Sequence, residues 1–346
     1  MILYVMIFIS YESGLTYGEE MNYIVFDLEW NQSNTGLEPE VKELPFEIIE
    51  IGAVKLNMEM KFIGEFSQLI KPEVYQEMHF ITKKLIHIQM AELQGGRPFP
   101  VVMNEFLEWC GEDCIFCTWG PLDLAEMQRN MRFYNMTPLS DKPFRFFDVQ
   151  KLFSLAYEDG KKRRSLEYAI DFLKMDKDIP FHRAFSDAYY AGRILEKIYI
   201  LDCTEDKTIL HNFSYDVFNI PKKKGDEVHI VFDDYAKYIS REFKDKSDIL
   251  LDKTVMNTKC YLCRKNNKRI VKWFTPNGKH YYCISYCEEH GYMKSKIRVR
   301  KSEDDKLYVV KTMKCISSDE VDSIVLKQER AKEIRRKKRL SKKVTS

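Results

Sequence analysis

Short apolar runs alternate with amphipathic segments over residues 21–200 of this 346-residue chain. Runs rich in β-branched and aromatic residues predict strands at 23–28, 47–56, 61–70 and 114–119. Apolar residues at helical spacing predict helices at 81–93, 101–110, 122–134, 148–157, 165–173 and 184–200. Three strands followed by alternating helices and one further strand indicate an α/β fold with a mixed central sheet.

The pattern changes beyond Glu205, where short β-rich runs replace most of the helices. Residues 221–226 predict a linker turn, and strands are predicted at 227–232, 269–274, 280–286, 297–301 and 307–313. Asn277-Gly278 between two of these runs is a strong hairpin signal. The pattern therefore divides the chain into a first domain at 21–205, a linker and β extension at 206–254, a smaller β-rich module at 255–315 and a basic tail at 316–346.

Charge is distributed unevenly along the chain, although its net value is only +2. Residues 251–346 hold 26 Lys and Arg against 11 Asp and Glu, whereas residues 1–250 hold 29 against 42. The 45% apolar content is that of a globular protein rather than a disordered one. The acidic part suits a pocket that collects cations, and the basic part suits contact with phosphates.

The amino-terminal segment and the cysteines bear on where the protein works. Residues 1–9 are apolar, but a membrane span needs about 20 such residues, and no basic start or small-residue cleavage site marks a signal peptide. A second hypothesis is that translation begins at Met21, which makes 1–20 a mis-called extension, because Gly18-Glu19-Glu20 can be encoded by a purine-rich ribosome-binding sequence. Nine cysteines in a large chain predict reduced thiols and a cytoplasmic location.

Acidic residues stand at the ends of several predicted elements. Asp27 and Glu29 end the first strand, and their spacing puts both on one face. Asp123 lies where the fourth strand turns into a helix, and Asp187 opens the long helix, five residues after His182. Each feature alone is commonplace at a strand terminus or a helix cap. Two Mg²⁺ ions about 4 Å apart need several carboxylates from different elements, and a loop histidine can take a proton from water.

The order of these motifs resembles that of the DEDD exonuclease superfamily, which has an RNase H-like fold. The three motifs correspond to FDLEW at 26–30, WGPLD at 119–123 and HRAFSDA at 182–188. The histidine five residues before the last aspartate resembles the histidine subclass, because the tyrosine subclass has Tyr where Arg183 stands. The resemblance spans about residues 21–200, includes FEIIEIGAV at 46–54, and is closest to the histone-mRNA 3′-exonuclease branch and its bacterial, sporulation-inhibitor-like relatives.

This resemblance implies a two-metal 3′→5′ exonuclease acting on single-stranded nucleic acid, with RNA favoured by the branch, and releasing 5′-mononucleotides. Asp27, Glu29, Asp123 and Asp187 would hold two Mg²⁺ or Mn²⁺ ions, and His182 would act as general base. Trp30 would stack on a terminal base, or else pack in the core, and Ile81-Thr82 would lie by the terminal nucleotide. Lys83 departs from the Leu-Thr-Gly of many members, which leaves 3′-end recognition open. The alternatives are a non-catalytic nucleic-acid-binding or regulatory protein and a DNA proofreading or repair exonuclease.

Cysteines of the β-rich module have the spacing of a zinc ribbon. Cys260 and Cys263 form one pair, and Cys287 with His290 forms a second, on either side of the Asn-Gly hairpin. We predict that these four residues bind one structural Zn²⁺, with Cys283 as an alternative ligand. The alternative interpretation is that these cysteines are unrelated reduced thiols. Interleaved aromatic and basic residues can grip a single strand or cover an ordinary β core. The Lys- and Arg-rich run at 335–339 suits phosphate binding, a nuclear localisation signal or a solvated tail.

Overall fold

A computed structural model of the protein describes residues 21–34, 39–86, 88–205 and 207–344, so the hypothetical extension at 1–20 lies outside the described residues. The described chain forms two compact units, one reaching Ser140 and including 144–216, the other comprising 141–143 and everything from Val217 onward. No helix within these described stretches is both long and apolar enough to cross a bilayer.

The first unit is built on a mixed six-stranded sheet of order β3-β2-β1-β4-β5-β6. The strands are β1 (Asn22–Asn31), β2 (Glu47–Leu56), β3 (Phe62–Leu69), β4 (Cys114–Thr118), β5 (Arg145–Asp148) and β6 (Ser214–Tyr215). Strands β1 to β3 pair antiparallel, and β4 runs parallel to both β1 and β5. The predicted mixed sheet is confirmed. The sequence analysis did not predict β5 or β6, because these strands are too short to show an alternation of apolar and polar residues.

Helices cover both faces of this sheet. They are α1 (Phe80–Leu85), α2 (Met90–Leu93), α3 (Phe99–Cys110), α4 (Leu122–Phe133), α5 (Val149–Tyr157), α6 (Leu166–Phe172) and α7 (Ala184–Glu205). The single helix predicted at 81–93 is two short ones, α1 and α2. Asp148 and Ser165 cap α5 and α6 by accepting from the backbone N–H groups of Lys151 and Tyr168, as their positions in the sequence predict.

Strand β1 is buried on both faces, and its alternation fixes where its acidic residues point. Tyr23 and Val25 pack in the core that contains residues of α7. Phe26 and its even-numbered neighbours pack in the opposite core, with residues of α3 and α4. Since side chains alternate along a strand, Asp27 and Glu29 continue the row that faces α7.

Helix α7 approaches β2 very closely at Gly52, the residue that pairs with Asp27 across the antiparallel ladder. A Cβ atom at Gly52 would lie 2.0 Å from the Phe185 backbone nitrogen and 2.3 Å from the Ala184 carbonyl carbon. Only glycine lets these two backbones pack at that distance. The glycine therefore brings the first turn of α7 next to the acidic end of β1.

The second unit contains another six-stranded sheet, of order β7-β8-β12-β11-β10-β9. Its elements are β7 (Val228–Val231), β8 (Tyr235–Ile239), α8 (Lys246–Leu251), β9 (Lys268–Phe274), β10 (His280–Cys287), β11 (Gly291–Lys301), β12 (Leu307–Cys315) and α9 (Ser318–Val344). Every neighbouring pair in the sheet is antiparallel. The sequence reading missed β8, which pairs with β12, so the 206–254 extension supplies two strands to the sheet of the β-rich module.

Most of the basic tail forms the long helix α9. The sequence analysis did not predict this helix, because the dense run of Lys and Arg hides its apolar positions. Val321, Ile324 and Ala331 of α9 are buried in a cluster with Val271 and Ile284 of the sheet. These apolar positions recur at helical spacing, so α9 has one face that packs on the module. Of the basic residues between them, Lys327 also faces the module, with its Nζ atom 4.1 Å from the centroid of the Tyr282 ring, whereas Arg330 is exposed.

We expect Gly52→Ala to destabilise the first unit by about 1–3 kcal/mol, because the new methyl group overlaps backbone atoms that cannot rotate away. Denaturant unfolding measures this difference. Gly64→Ala on neighbouring β3 is the matched control, because its Cβ would meet side-chain atoms of Trp109 and Lys55 at ordinary contact distance, the nearest at 3.5 Å. Equal stabilities of the two variants would contradict the close approach.

Candidate functional site

Three carboxylates converge where β1 meets the start of α7. One carboxylate oxygen from each of Asp27, Glu29 and Asp187 lies within 4.8 Å of the others. Asp27 and Glu29 come from one face of β1, because side chains alternate along a strand. Gly52 lets the first turn of α7 come close enough to add Asp187. Carboxylates this close repel one another unless a proton or a cation lies between them.

Asp123 completes the acidic group from the first turn of α4. Its side chain is buried, and its carboxylate accepts the backbone N–H of Leu28, the residue between Asp27 and Glu29. The negative charge of Asp123 acts on both of those carboxyls, although Asp123 lies outside the tight group of three. The structure thus brings all four predicted acidic residues to one edge of the sheet.

The structure adds Glu50, which the sequence reading did not single out. Glu50 of β2 pairs with Glu29 in the ladder and is only 1% exposed. Arg183 binds its carboxylate with two nitrogens, Nη2 at 2.7 Å and Nε at 3.0 Å, and the Ala184 backbone N–H donates to it at 3.3 Å. The signal in the sequence that could have pointed to Glu50 is the presence of a charged residue inside the apolar run of β2. Glu50 thereby holds the segment that carries His182.

His182 lies in the loop immediately before α7, exposed and with a positive φ of 62°. Such a backbone conformation is uncommon for a residue other than glycine and is often found at functional sites. The His182 backbone N–H donates to the Asp187 carboxylate, which fixes the histidine beside the acidic group. The Oδ1 atom of Asp187 is buried without a hydrogen-bond partner, and so it is free to bind a cation.

Burial and mutual repulsion disfavour the ionised state of all four carboxyls. Burial is the largest cause, and it raises the pKa of Glu29 to about 8, that of Asp123 to about 7 and that of Asp187 to about 6. Burial and then the charge of Asp123 raise the pKa of Asp27 well above its usual range. Divalent cations bound here would remove the repulsion, and carboxylate oxygens are the ligands that Mg²⁺ and Mn²⁺ prefer.

Comparison with known proteins identifies the first unit. Residues 24–195 match the model of the family described as Exonuclease (RNase_T). This segment is an exonuclease-family domain. Its mixed sheet with flanking helices is the RNase H-like exonuclease fold, as the sequence predicted, and the family implies divalent metal ions. No curated protein sequence matches the chain.

Several solved exonuclease structures are similar to this chain. The nuclease domain of 3′hExo, a DEDDh family member bound to rAMP, is 20% identical with a TM-score of 0.46, and the match covers 54% of this chain and 96% of that one. A full-length 3′-exonuclease is 18% identical with a TM-score of 0.45, over 54% and 84%. A 3′-exonuclease recognising the histone mRNA stem-loop is 17% identical with a TM-score of 0.46, over 60% and 95%.

The residues predicted to touch substrate occupy different environments in the exonuclease domain. Trp30 is half-buried, with its ring centroid 5.5 Å from that of Phe46. Thr82 is buried, and its hydroxyl donates to the Trp30 carbonyl at 3.3 Å. Ile81 is exposed on α1, beside a still more exposed Phe80 that the sequence analysis did not single out. Thr82 therefore positions α1 against β1, whereas Ile81 and Phe80 present an apolar surface to solvent.

The second unit brings together a Cys and His group that fits a tetrahedral metal ion. The ligand atoms of Cys260, Cys263, Cys287 and His290 all lie within 4.8 Å of one another. The His290 Nδ1 atom is 3.6 Å from the Sγ atoms of both Cys260 and Cys287, and Cys263 Sγ is 3.6 Å from Cys287 Sγ. Ligands about 2.1–2.3 Å from a tetrahedral Zn²⁺ lie roughly 3.5–3.8 Å apart, so these spacings fit zinc.

Two turns create this arrangement. Arg264 follows the first pair with a φ of 62°, and Gly291 follows the second with a φ of 73°, so each pair ends in a left-handed turn. Cys283, the alternative ligand, lies outside the group, and its thiol points to the Ile284 carbonyl at 3.8 Å. The four residues that the structure groups are therefore those preferred from their spacing.

The raised carboxyl pKa values predict a link between metal binding, pH and stability. An acid whose folded pKa exceeds its unfolded value of about 4 destabilises the fold increasingly as pH rises from that value through the folded pKa. Without divalent metal, we expect stability to fall between about pH 4 and pH 8. Mn²⁺ should therefore raise the melting temperature more at about pH 8 than at about pH 5.5, as thermal unfolding can measure.

Glu29→Gln provides the control for this pH effect, because it removes the carboxyl whose pKa lies near 8. The variant should be less destabilised at high pH without metal and should gain less from Mn²⁺. An equal Mn²⁺ effect at both pH values in the unaltered protein would contradict the assignment of the acidic group as a metal site.

The Cys and His group predicts about one zinc ion per chain, measured by elemental analysis after purification without chelators. Cys263→Ser should lose that zinc and lower the melting temperature of the second unit, since structural zinc contributes directly to folding. Cys283→Ala should retain zinc, because the thiol lies outside the group. Loss of zinc from Cys283→Ala with retention in Cys263→Ser would reverse the ligand assignment.

Proposed function

We propose that the protein is a metal-dependent 3′→5′ exonuclease that hydrolyses single-stranded nucleic acid to 5′-mononucleotides. The observation that carries this proposal is the convergence of Asp27, Glu29 and Asp187, with an unpartnered Asp187 oxygen, in an exonuclease-family domain. Without bound cations such a group does not stabilise the fold, because its carboxylates repel one another. It suits the two-metal hydrolysis of phosphodiesters.

The four acidic residues would bind two Mg²⁺ or Mn²⁺ ions. Bound divalent ions supply charge for the developing transition state and make water a stronger nucleophile. Asp27 and Glu29 approach from the sheet, Asp187 from α7 and Asp123 from α4. Ligands from three elements make the site depend on the tertiary fold, and the burial of Asp123 limits competing water.

His182 would accept the proton of the attacking water. Its backbone N–H is tied to Asp187, and Arg183 ties the same loop to Glu50. The histidine side chain itself is exposed, so its imidazole can reach substrate from the solvent side. Arg183 and Glu50 act as positioning residues in this proposal, because they set the loop without facing the phosphodiester.

The 3′-terminal nucleotide would lie against the surface between β1 and α1. Trp30 and the exposed residues Phe80 and Ile81 offer aromatic and apolar faces there. Aromatic faces accept any base by stacking, which suits an exonuclease that removes successive nucleotides. The Thr82 hydroxyl supports this surface through the Trp30 backbone. The Lys83 departure from Leu-Thr-Gly falls on the same helix, so the contacts to the last nucleotide are expected to differ from those of relatives that have Gly.

RNA is the preferred substrate in this proposal, because the motifs most resemble the histone-mRNA 3′-exonuclease branch. The zinc site and the basic second unit would support binding of the strand. We also propose a cytoplasmic location, since the nine cysteines are all free thiols. A non-catalytic regulator on the same fold is less well supported, because the full acidic group and His182 are present.

We expect the purified protein, with Mn²⁺, to shorten 5′-labelled single-stranded RNA stepwise from its 3′ end and to act more slowly on DNA of matched sequence. Asp27→Asn should reduce hydrolysis to background, since it removes a metal ligand. His182→Gln should slow hydrolysis by about 10²–10⁴-fold, the usual contribution of a general base. Gel analysis of the ladders and chromatography of the released nucleotides measure both effects.

Asp176→Asn is the matched control, because Asp176 is an exposed aspartate of the same domain that lies outside the acidic group. It should cleave like the unaltered protein. Activity that persists in Asp27→Asn would show that the acidic group is not the catalytic site. Shortening of 3′-labelled substrate with the label retained would rule out the 3′→5′ direction.

A further inference from the structure

The second unit contains a small pocket that the proposed hydrolysis does not use. It lies among β7, β8 and β12 and the Cys260 turn, with a volume of about 150 Å³. Pockets for drug-sized ligands have volumes of about 300–1,000 Å³, so this one suits a single small group rather than a whole nucleotide. Its wall includes Cys260, one of the four residues of the zinc group.

The charged side chains described in the wall of this pocket are all cationic. The cationic residues that line it are Lys237, Lys259, Arg264 and Lys311. No aspartate or glutamate is among the described residues of its lining. The nearby acids Glu227 and Asp252 both bind Arg241, at 2.7 Å and 2.9 Å, so one guanidinium offsets part of their negative charge.

Lys311 is the least exposed of the four cations, at 6%. Its Nζ atom donates to the Asn257 carbonyl at 2.5 Å, which uses one of three donors on the ammonium group. Burial lowers the pKa of Lys311 to about 8. A buried cation that faces a cavity is costly unless an anion approaches it, so the pocket is electrostatically incomplete without a ligand.

The charges converge on the pocket from separate elements. Burial lowers the pKa of His229 in this wall, and the charges of Arg264, after the zinc turn, and Lys311, on β12, lower it further against the opposing charge of Glu227. Thr254 and Asn257 add polar side chains to the same wall. Several cations with neutral hydrogen-bonding groups around a small cavity match a tetrahedral dianion or diester better than a lone carboxylate.

We propose that this pocket binds a phosphoryl group of a single-stranded nucleic acid. Naming the strand as the source rests on the proposed nuclease function, whereas the phosphate chemistry rests on the pocket alone. Inorganic phosphate carries the same chemistry and serves as the second probe. A bound backbone phosphate would hold the strand on the zinc-containing unit by charge, without reading its sequence.

The test uses the full-length, zinc-loaded chain with Asp187→Asn to prevent hydrolysis. Calorimetry measures binding of inorganic phosphate, and fluorescence anisotropy measures binding of a labelled single-stranded RNA. Lys259→Gln and Arg264→Asn remove exposed cations of the pocket, and asparagine tolerates the positive φ at Arg264. Lys301→Gln is the control, because Lys301 is an exposed lysine on β11 that pairs with Asp305 and does not line the pocket.

We expect each pocket variant to weaken phosphate binding by about tenfold, the loss of one charged hydrogen bond. The double variant should also reduce the salt dependence of RNA binding by about 0.7 in the log–log slope, the value for one phosphate contact on a single strand. The Lys301→Gln control should match the parent in both measurements. Lys311→Met, checked for retained zinc, should abolish phosphate binding.

Phosphate binding that is absent, or unchanged in the pocket variants, would overturn the proposal. Phosphate binding that RNA does not displace would overturn the assignment to a strand. Failure of the proposed nuclease function is seen separately, as absent hydrolysis by the protein that retains Asp187, and it does not alter the phosphate measurement.

Discussion

The close packing of α7 on β2 at Gly52 is the constraint on which the candidate active site depends. The distance of 2.0 Å from a notional Cβ to the Phe185 nitrogen leaves room for hydrogen only. Because Gly52 pairs with Asp27, this approach places the first turn of α7 beside the acidic end of β1. Asp187 and the His182 loop reach the other carboxylates through this packing, and a side chain at Gly52 would separate them.

The acidic residues near this contact between α7 and the sheet fall into two groups, one with a cationic partner and one without. Glu50 is fully buried and binds Arg183, so it fixes the loop, while its charge still contributes to the raised pKa values of Asp27, Glu29 and Asp187. Asp27, Glu29, Asp123 and Asp187 have no comparable cationic partner, and their pKa values are raised as a result of burial and repulsion. This acidic group therefore destabilises the fold until cations bind to it. Groups of this kind, with strongly shifted pKa values, are common at functional sites.

The second unit has the opposite electrostatic character. Its four-residue Cys and His group spans the 260–263 turn and the β10–β11 turn, so one metal ion would join the turn that precedes β9 to the sheet. Helix α9 adds an apolar face to the same sheet. Around this framework the cations are directed to the surface and, in the case of Lys311, into a small pocket.

The sequence by itself determined the type of fold and most of the acidic group, because strand periodicity and element order are local properties that motifs such as FDLEW at 26–30 carry. It could not show the role of Glu50, since an acid inside an apolar strand acquires its meaning only from Arg183, 133 residues away. Strand β6 has two residues and no readable period, and α9 looked like a charged tail until its apolar positions met Val271 and Ile284. The tertiary structure alone decided these features, because they depend on which distant side chains share a space, and neither spacing nor composition records that.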